Sequence, residues 1–321
     1  MDFRSKFLIS FMSKRAKNTL NLTSAPSEFS FQLSEDLLIH PEEWNSRIFM
    51  KTIKGNYLIG GEVMRLRFNS LGVTLKRGSI RKQLLLASHV LDAFPKSNVS
   101  VTFFDPIKPT TALEFMKMVN QRKISIKTLD YSLNEASSSE FVPELLDECT
   151  EVTKRIKIRA AFPDDFMYTP VRPFKVKELI VLQKSNWINL ESLISCRTVV
   201  IQLTRMSNRT VHIYDSFFNK WMDSNAPLQK LTFYWGKETE NQLMMDALSN
   251  QGEMQQISRY WVKVDRKDGS EFFIDKSSNG ITIHTKKSYL KQIREAEIVY
   301  AKVRAIERQY HNRERQWLRF D

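Results

Sequence analysis

Apolar and polar residues alternate in short runs over most of this chain, and segments of helical period are interleaved with them. The alternation is clearest between Phe174 and Trp235. Leu179 and Val181 fall on one side of a first run, Val199, Ile201 and Leu203 on one side of a second, and Leu231, Phe233 and Trp235 on one side of a third. That period of two predicts three strands. Two helix-type runs separate them, one around NLESLISC (189–196) and one in which Val211, Tyr214, Phe217, Phe218, Trp221 and Met222 form a single stripe.

The same alternation extends upstream. VSVTFF (99–104), KTLDYS (127–132) and KRIKIRAAF (154–162) predict strands, ALEFMKMVNQ (112–121) and EFVPELLDEC (140–149) predict helices, and a proline-containing loop spans 163–173. One strand and one helix cannot bury their own apolar face, so such units stack on their neighbours. If Leu129, Ile156, Leu179, Ile201 and Leu231 are the inward residues of successive strands, they recur at spacings near those of leucine-rich solenoids, roughly 20–29 residues. The expected fold is α/β: an irregular leucine-rich-repeat-like array of strand–helix units with a C-terminal β-meander and a long terminal helix. An ordinary open α/β sheet satisfies the same periodicity.

Ahead of the array, FSFQL (29–33), SRIFMKTI (46–53) and VMRLRFNSLGVTL (63–75) are β-like, and Ser79 to Phe94 is a helix that stops at Pro95. After it, ENQLMMDALSNQG (240–252) is helical. Asp268-Gly269 and Asn279-Gly280 then mark hairpins of the meander. From Lys286 onward Leu290, Ile293, Ala296, Tyr300, Val303, Tyr310 and Trp317 form a near-heptad stripe. It predicts an amphipathic helix that packs back or binds a partner.

Composition narrows the function classes. No apolar run reaches the roughly 20 residues a bilayer requires, so no transmembrane segment is expected. Cys149 and Cys196 are too few for a disulfide framework, and each ends an apolar helical run, where a thiol is a small buried hydrophobe. An intracellular location, cytoplasmic or nuclear, follows as the expectation. The net charge of +13 is concentrated at the ends. Residues 1–20 hold five Lys/Arg against Asp2, and residues 286–321 hold ten against five acids. The middle is only mildly basic, which argues against a nucleic-acid groove along the array.

The N-terminal stripe of Phe3, Phe7, Leu8, Phe11 and Met12 fits either a transit peptide or a helix packed on the next domain. The segment KFLISFMSKRAKNTL (6–20) resembles something narrower, the second half of an F-box, on Met12, Ser13, Lys14, Arg15, Lys17 and Leu20. KSNWINLESLISCRTVVIQL, then SFFNKWM, then QKLTFYW, and the turn at Arg266-Lys267-Asp268-Gly269 are similar to the F-box-associated type-2 domain of nematode-type F-box proteins. The resemblance divides the chain into a partial F-box-like helix (1–24), a β-rich part ending in a helix (25–95), an F-box-associated strand–helix domain with its meander cap (96–285) and a basic amphipathic helix (286–321). It implies a non-catalytic adaptor, the substrate receptor of a Skp–cullin–F-box ubiquitin ligase. Its partners would be a Skp-type adaptor and an unknown substrate protein, and an F-box truncated in this way has lost much of its adaptor-gripping surface. Leu8, Phe11, Met12 and Arg15 are the adaptor-binding candidates.

No catalytic, metal or cofactor site is expected. The five histidines have no ligand spacing, and neither a Gly-x-Ser-x-Gly nor a Walker-type loop occurs. Asp164-Asp165 reads as a solvated loop pair, and Trp187, Trp221 and Trp235 read as core. Binding is expected instead at Gln183, Gln202, Thr204, Thr232 and Tyr234, which alternate with the core positions and should face an exposed side of the sheet. The competing reading is a basic protein that binds nucleic acid or an anionic membrane surface through its cationic terminal helices.

Overall fold

Seven described strands, most of them burying alternate residues, run parallel, side by side, and form the middle of one sheet. The computed structural model describes residues 3–23, 28–41, 52–69, 72–132, 141–160, 162, 166–183, 185–203, 209–234, 238–278 and 280–317. The parallel strands are β1 (Glu28–Leu33), β6 (Asn98–Phe103), β7 (Ser125–Ser132), β8 (Arg155–Arg159), β9 (Glu178–Leu182), β10 (Thr198–Gln202) and β11 (Lys230–Tyr234). From β6 to β11 each strand pairs with the next in the chain. Because the strands advance in one direction, right-handed crossovers bring their connections back on one face.

That face holds the helices and the core. Its layer includes α3 (Ile80–Ala93), α4 (Pro109–Gln121), α5 (Val142–Glu148), α6 (Val211–Met222) and α7 (Glu238–Ser249). Helix α3 starts where Ser79 Oγ accepts from Lys82 N, and α4 starts with a proline, whose missing N–H is no loss in the first turn. Gln83 is buried in α3 and its Nε2 donates to the carbonyls of Ser34, Glu35 and Gly78, tying the helix to the turn after β1.

Antiparallel strands close both ends of the sheet. Beyond β1 lie β2 (Leu37–Pro41), β5 (Gly72–Leu75), β4 (Glu62–Asn69) and β3 (Ile53–Ile59). Beyond β11 lie β15 (Gly280–Thr285), β14 (Glu271–Ser278), β13 (Trp261–Asp265) and β12 (Glu253–Gln256). Since β1 sits between β2 and β6, the segments 25–95 and 96–285 share one sheet and one core. Glycine is required where β15 meets β11: a Cβ on Gly280 would stand 1.8 Å from the Phe233 carbonyl oxygen.

Three segments depart from the sequence reading. Residues 185–196 form two 3-10 turns, Ser185–Trp187 and Leu190–Ser195, rather than a helix. Tyr168 N donates to Trp187 O at 2.7 Å and Asn189 N to Tyr168 O at 3.3 Å. These bonds hold the segment extended while Trp187 enters the core against Phe162, 4.7 Å between centroids. Strand β2 was not expected, being a five-residue segment whose partners lie elsewhere in the chain. Most of the strand expected over 46–53 lies outside the described residues, and the edge strand β3 begins at Ile53.

Two helices, α1 (Phe3–Ile9) and α2 (Lys14–Thr23), precede the sheet, and α8 (Lys286–Trp317) follows it. Among the described residues no helix is long and apolar enough to cross a membrane.

Candidate binding surface

Opposite the helices, the sheet presents the other half of its alternating residues. Register fixes which of them are neighbours. Across the strand centres run Gln32, Thr102, Asp130, Lys157, Ile180, Val200, Thr232 and Thr282. Toward the strand ends Ser132, Arg159 and Leu182 are in register, followed on the next two strands by Gln202 and Tyr234. The β1–β7 part of this face is made of short polar side chains. At β9 and β10 the face turns apolar, with Ile180, Leu182 and Val200 each only half-buried.

Cations border this patch on the β8 side. Arg155 and Arg159 are exposed, whereas Lys157 pairs with Asp130 at 3.4 Å. The patch is therefore an apolar strip beside two guanidinium groups, a surface suited to a protein segment with an apolar side chain and acids near it.

On its other side the face is closed by the C-terminal strands. Trp261, Phe273 and His284 project from β13, β14 and β15 on the side opposite the main core, and Tyr289 of α8 stacks on Phe273 with centroids 3.9 Å apart. His284 is fully buried, and burial, assisted by nearby Lys230, lowers its pKa to about 4. The imidazole is neutral and its Nδ1 lies 3.2 Å from Ser288 Oγ.

The five residues expected to face a partner fare differently. Gln202 and Tyr234 lie on the open face, half-buried beside the apolar strip. Gln183 has left the strand, with φ at +61°, and its N–H donates to Gln202 Oε1. Thr204 lies outside the described residues. Thr232 is a correction: only 2% of it is exposed, and Thr282 Oγ1 donates to its hydroxyl, because β15 extends the sheet on that side. The apolar strip itself was missed. Its signal was the unbroken runs LIVL and VVI, which mark strands apolar on both faces.

The N-terminal candidates sit on α1 (Leu8), in the turn between the two helices (Phe11 and Met12) and on α2 (Arg15), a unit packed against α3 and the β3–β4 hairpin. Phe7 is fully buried, with its ring 5.7 Å from Phe68. Phe11 is stacked on His89 at 4.4 Å and lies 5.4 Å from Tyr57. Ser10 Oγ donates to the Phe7 carbonyl, so His89 Nε2, 2.9 Å away, is the donor to that hydroxyl. Burial, and then the Lys17 charge, lower the His89 pKa to about 4. Leu8 and Phe11, two of the adaptor-binding candidates, are partly buried against the core. Met12, 77% exposed, and Arg15 point to solvent.

Cys149 and Cys196 are both buried, and desolvation pushes the Cys196 thiol up to about 12 and Cys149 higher still. Thiols held protonated are poor nucleophiles. Among the described residues no group of three or more His, Cys, Asp or Glu is arranged to hold a metal ion. A groove of about 410 Å³ on the helical face is lined by Leu84, Leu113, Met118 and Phe141 together with the polar side chains of Thr110, Glu114, Lys117 and Gln121. No family model and no curated protein matches this chain.

Proposed function

We propose that the protein is a non-catalytic protein-binding adaptor, with the open face of the sheet as its recognition surface and the N-terminal helices as its docking module. The observation that carries this reading is the uncovered apolar strip of Ile180, Leu182 and Val200 beside Arg155 and Arg159. In this reading the strand–helix units form an irregular leucine-rich-repeat-like array that holds the strip rigid. The F-box-like segment supplies the link to a Skp-type adaptor, as in the substrate receptor of a Skp–cullin–F-box ubiquitin ligase. Met12 and Arg15 are its accessible contacts.

Two measurements test the two halves separately. A purified Skp-type adaptor should bind the full chain at micromolar concentration, and Met12→Glu with Arg15→Glu should abolish it; no binding by the unaltered chain removes the ligase reading. Proximity labelling in cells should return a set of partners that Leu182→Glu with Val200→Glu eliminates without lowering thermal stability. An unchanged set moves recognition off the sheet.

A further inference from the structure

Helix α8 leaves the sheet before its apolar stripe ends. Tyr289 is packed on Phe273 and Trp261, and Ile293 is half-buried. One turn further on the helix is solvent-exposed, yet it carries Val299 at 59%, Tyr300 at 68%, Val303 at 45% and Ile306 at 52% exposure. A helix exposed all round has no need of such residues. From Arg294 it continues to Trp317, about three heptads of length.

The arrangement of those residues identifies what covers them. Ala296, Val299, Val303 and Ile306 recur at alternating spacings of three and four, the a and d positions of a heptad with β-branched residues at three of the four. In that register Lys302 is a g position and Glu307 the e position five residues later. Across a parallel pair of such helices, each Lys302 faces the other copy's Glu307. Within the chain neither makes an ion pair among the described residues. Arg294, Arg304 and Arg308 fall at b and f, away from the seam, and the one cation at a d position is Arg313, a heptad beyond Ile306. We infer that α8 is a dimerisation helix whose exposed stripe is covered by α8 of a second copy of this chain, in a parallel two-stranded coiled coil. An anionic lipid surface is a poorer fit, because the exposed apolar residues are Val and Ile with one Tyr instead of the Trp, Phe and Leu of interfacial helices, and Ile298 and Tyr300 flank the seam at c and e. A dimer would join two open faces, so that a partner with two recognition segments is held by avidity.

Sedimentation equilibrium on the full chain tests this. The expected mass is twice that of the 37.7 kDa chain. Val303→Glu should weaken association by about tenfold or more, with circular dichroism and melting of the monomer unchanged, since the side chain is exposed. Lys302→Glu should weaken it too, and adding Glu307→Lys to Lys302→Glu should restore it. Val303→Cys should cross-link on oxidation as a covalent dimer, because both natural cysteines are buried. A monomer at every concentration overturns the inference, as does any mass other than twice the chain's or a dimer that survives Val303→Glu. A monomer whose α8 binds anionic vesicles assigns the stripe to lipid instead. Loss with Val303→Glu but no response to the charge swap overturns the parallel register. None of these outcomes depends on a Skp-type adaptor or a substrate.

Discussion

Trp221 shows how one side chain can be both core and hydrogen-bond donor. Its ring is 2% exposed and packs edge-on against Phe272, 5.5 Å away, while its Nε1 donates to the Leu228 carbonyl at 2.9 Å. Trp221→Ala should lower stability by about 3–5 kcal/mol. Trp221→Phe keeps a ring but leaves a buried carbonyl unpaired, and should lose about 1–3 kcal/mol. Urea unfolding measures both, and no loss with Trp221→Phe would mean that the hydrogen bond contributes nothing.

The two buried histidines make a second claim at this scale. Both are neutral in the folded protein with pKa values of about 4, against an ordinary value of 6.5. The unfolded chain therefore takes up protons first as the pH falls. Their contribution is full above pH 6.5 and is lost between 6.5 and about 4, on the order of 1–2 kcal/mol for each by pH 5. His89→Gln and His284→Gln should each flatten the fall in unfolding free energy between pH 6.5 and 5. An unaltered slope in both would show that the imidazoles titrate normally.

Elements at the two ends of the chain behave as clamps on an otherwise regular sheet. Helix α1 holds itself to α3 through Phe7, Phe11 and His89, and the first turns of α8 cover His284 through Tyr289. Tyr289→Ala should expose Trp261 and His284. The expected readout is a red shift of tryptophan emission together with a rise of the His284 pKa toward 6.5, seen by NMR titration. Unshifted emission with His284 still near 4 would mean that the strands alone bury this corner.

At this scale the sequence was readable wherever an element is amphipathic. The stripe of α6 and the alternation of β1 and β8 required no tertiary information. The segment 185–196 was misread because its apolar spacing suits a 3-10 turn as well as a helix. The decision lay with hydrogen bonds to Tyr168, a residue nearly twenty positions upstream.

For the whole molecule, neighbour-to-neighbour pairing from β6 to β11 sets how stability is distributed. Arrays of this connectivity gain stability from each unit and its adjoining interfaces rather than from one global network. Phe7→Ala, far from β11 in the strand order, should destabilise by about 3–5 kcal/mol locally. Hydrogen exchange should accelerate in β1–β5 and α3, with β10, β11 and β15 keeping their protection. A uniform increase across the sheet would show that the fifteen strands unfold as one unit.

The sequence by itself determined most of the strands and helices, the core side of the amphipathic ones and the hairpin turn at Asp268-Gly269, because these follow from local period and from glycine. It also held the apolar strip on the open face, written as LIVL and VVI. Only the tertiary structure decided which outward residues stay open. Thr232 and Tyr234 share a strand face and both pair with β15, but Thr232 meets Thr282, whose hydroxyl bonds to it, while Tyr234 meets Gly280, which has no side chain, and stays half-exposed. Coverage depends on strands and helices distant in sequence, and no local pattern encodes it.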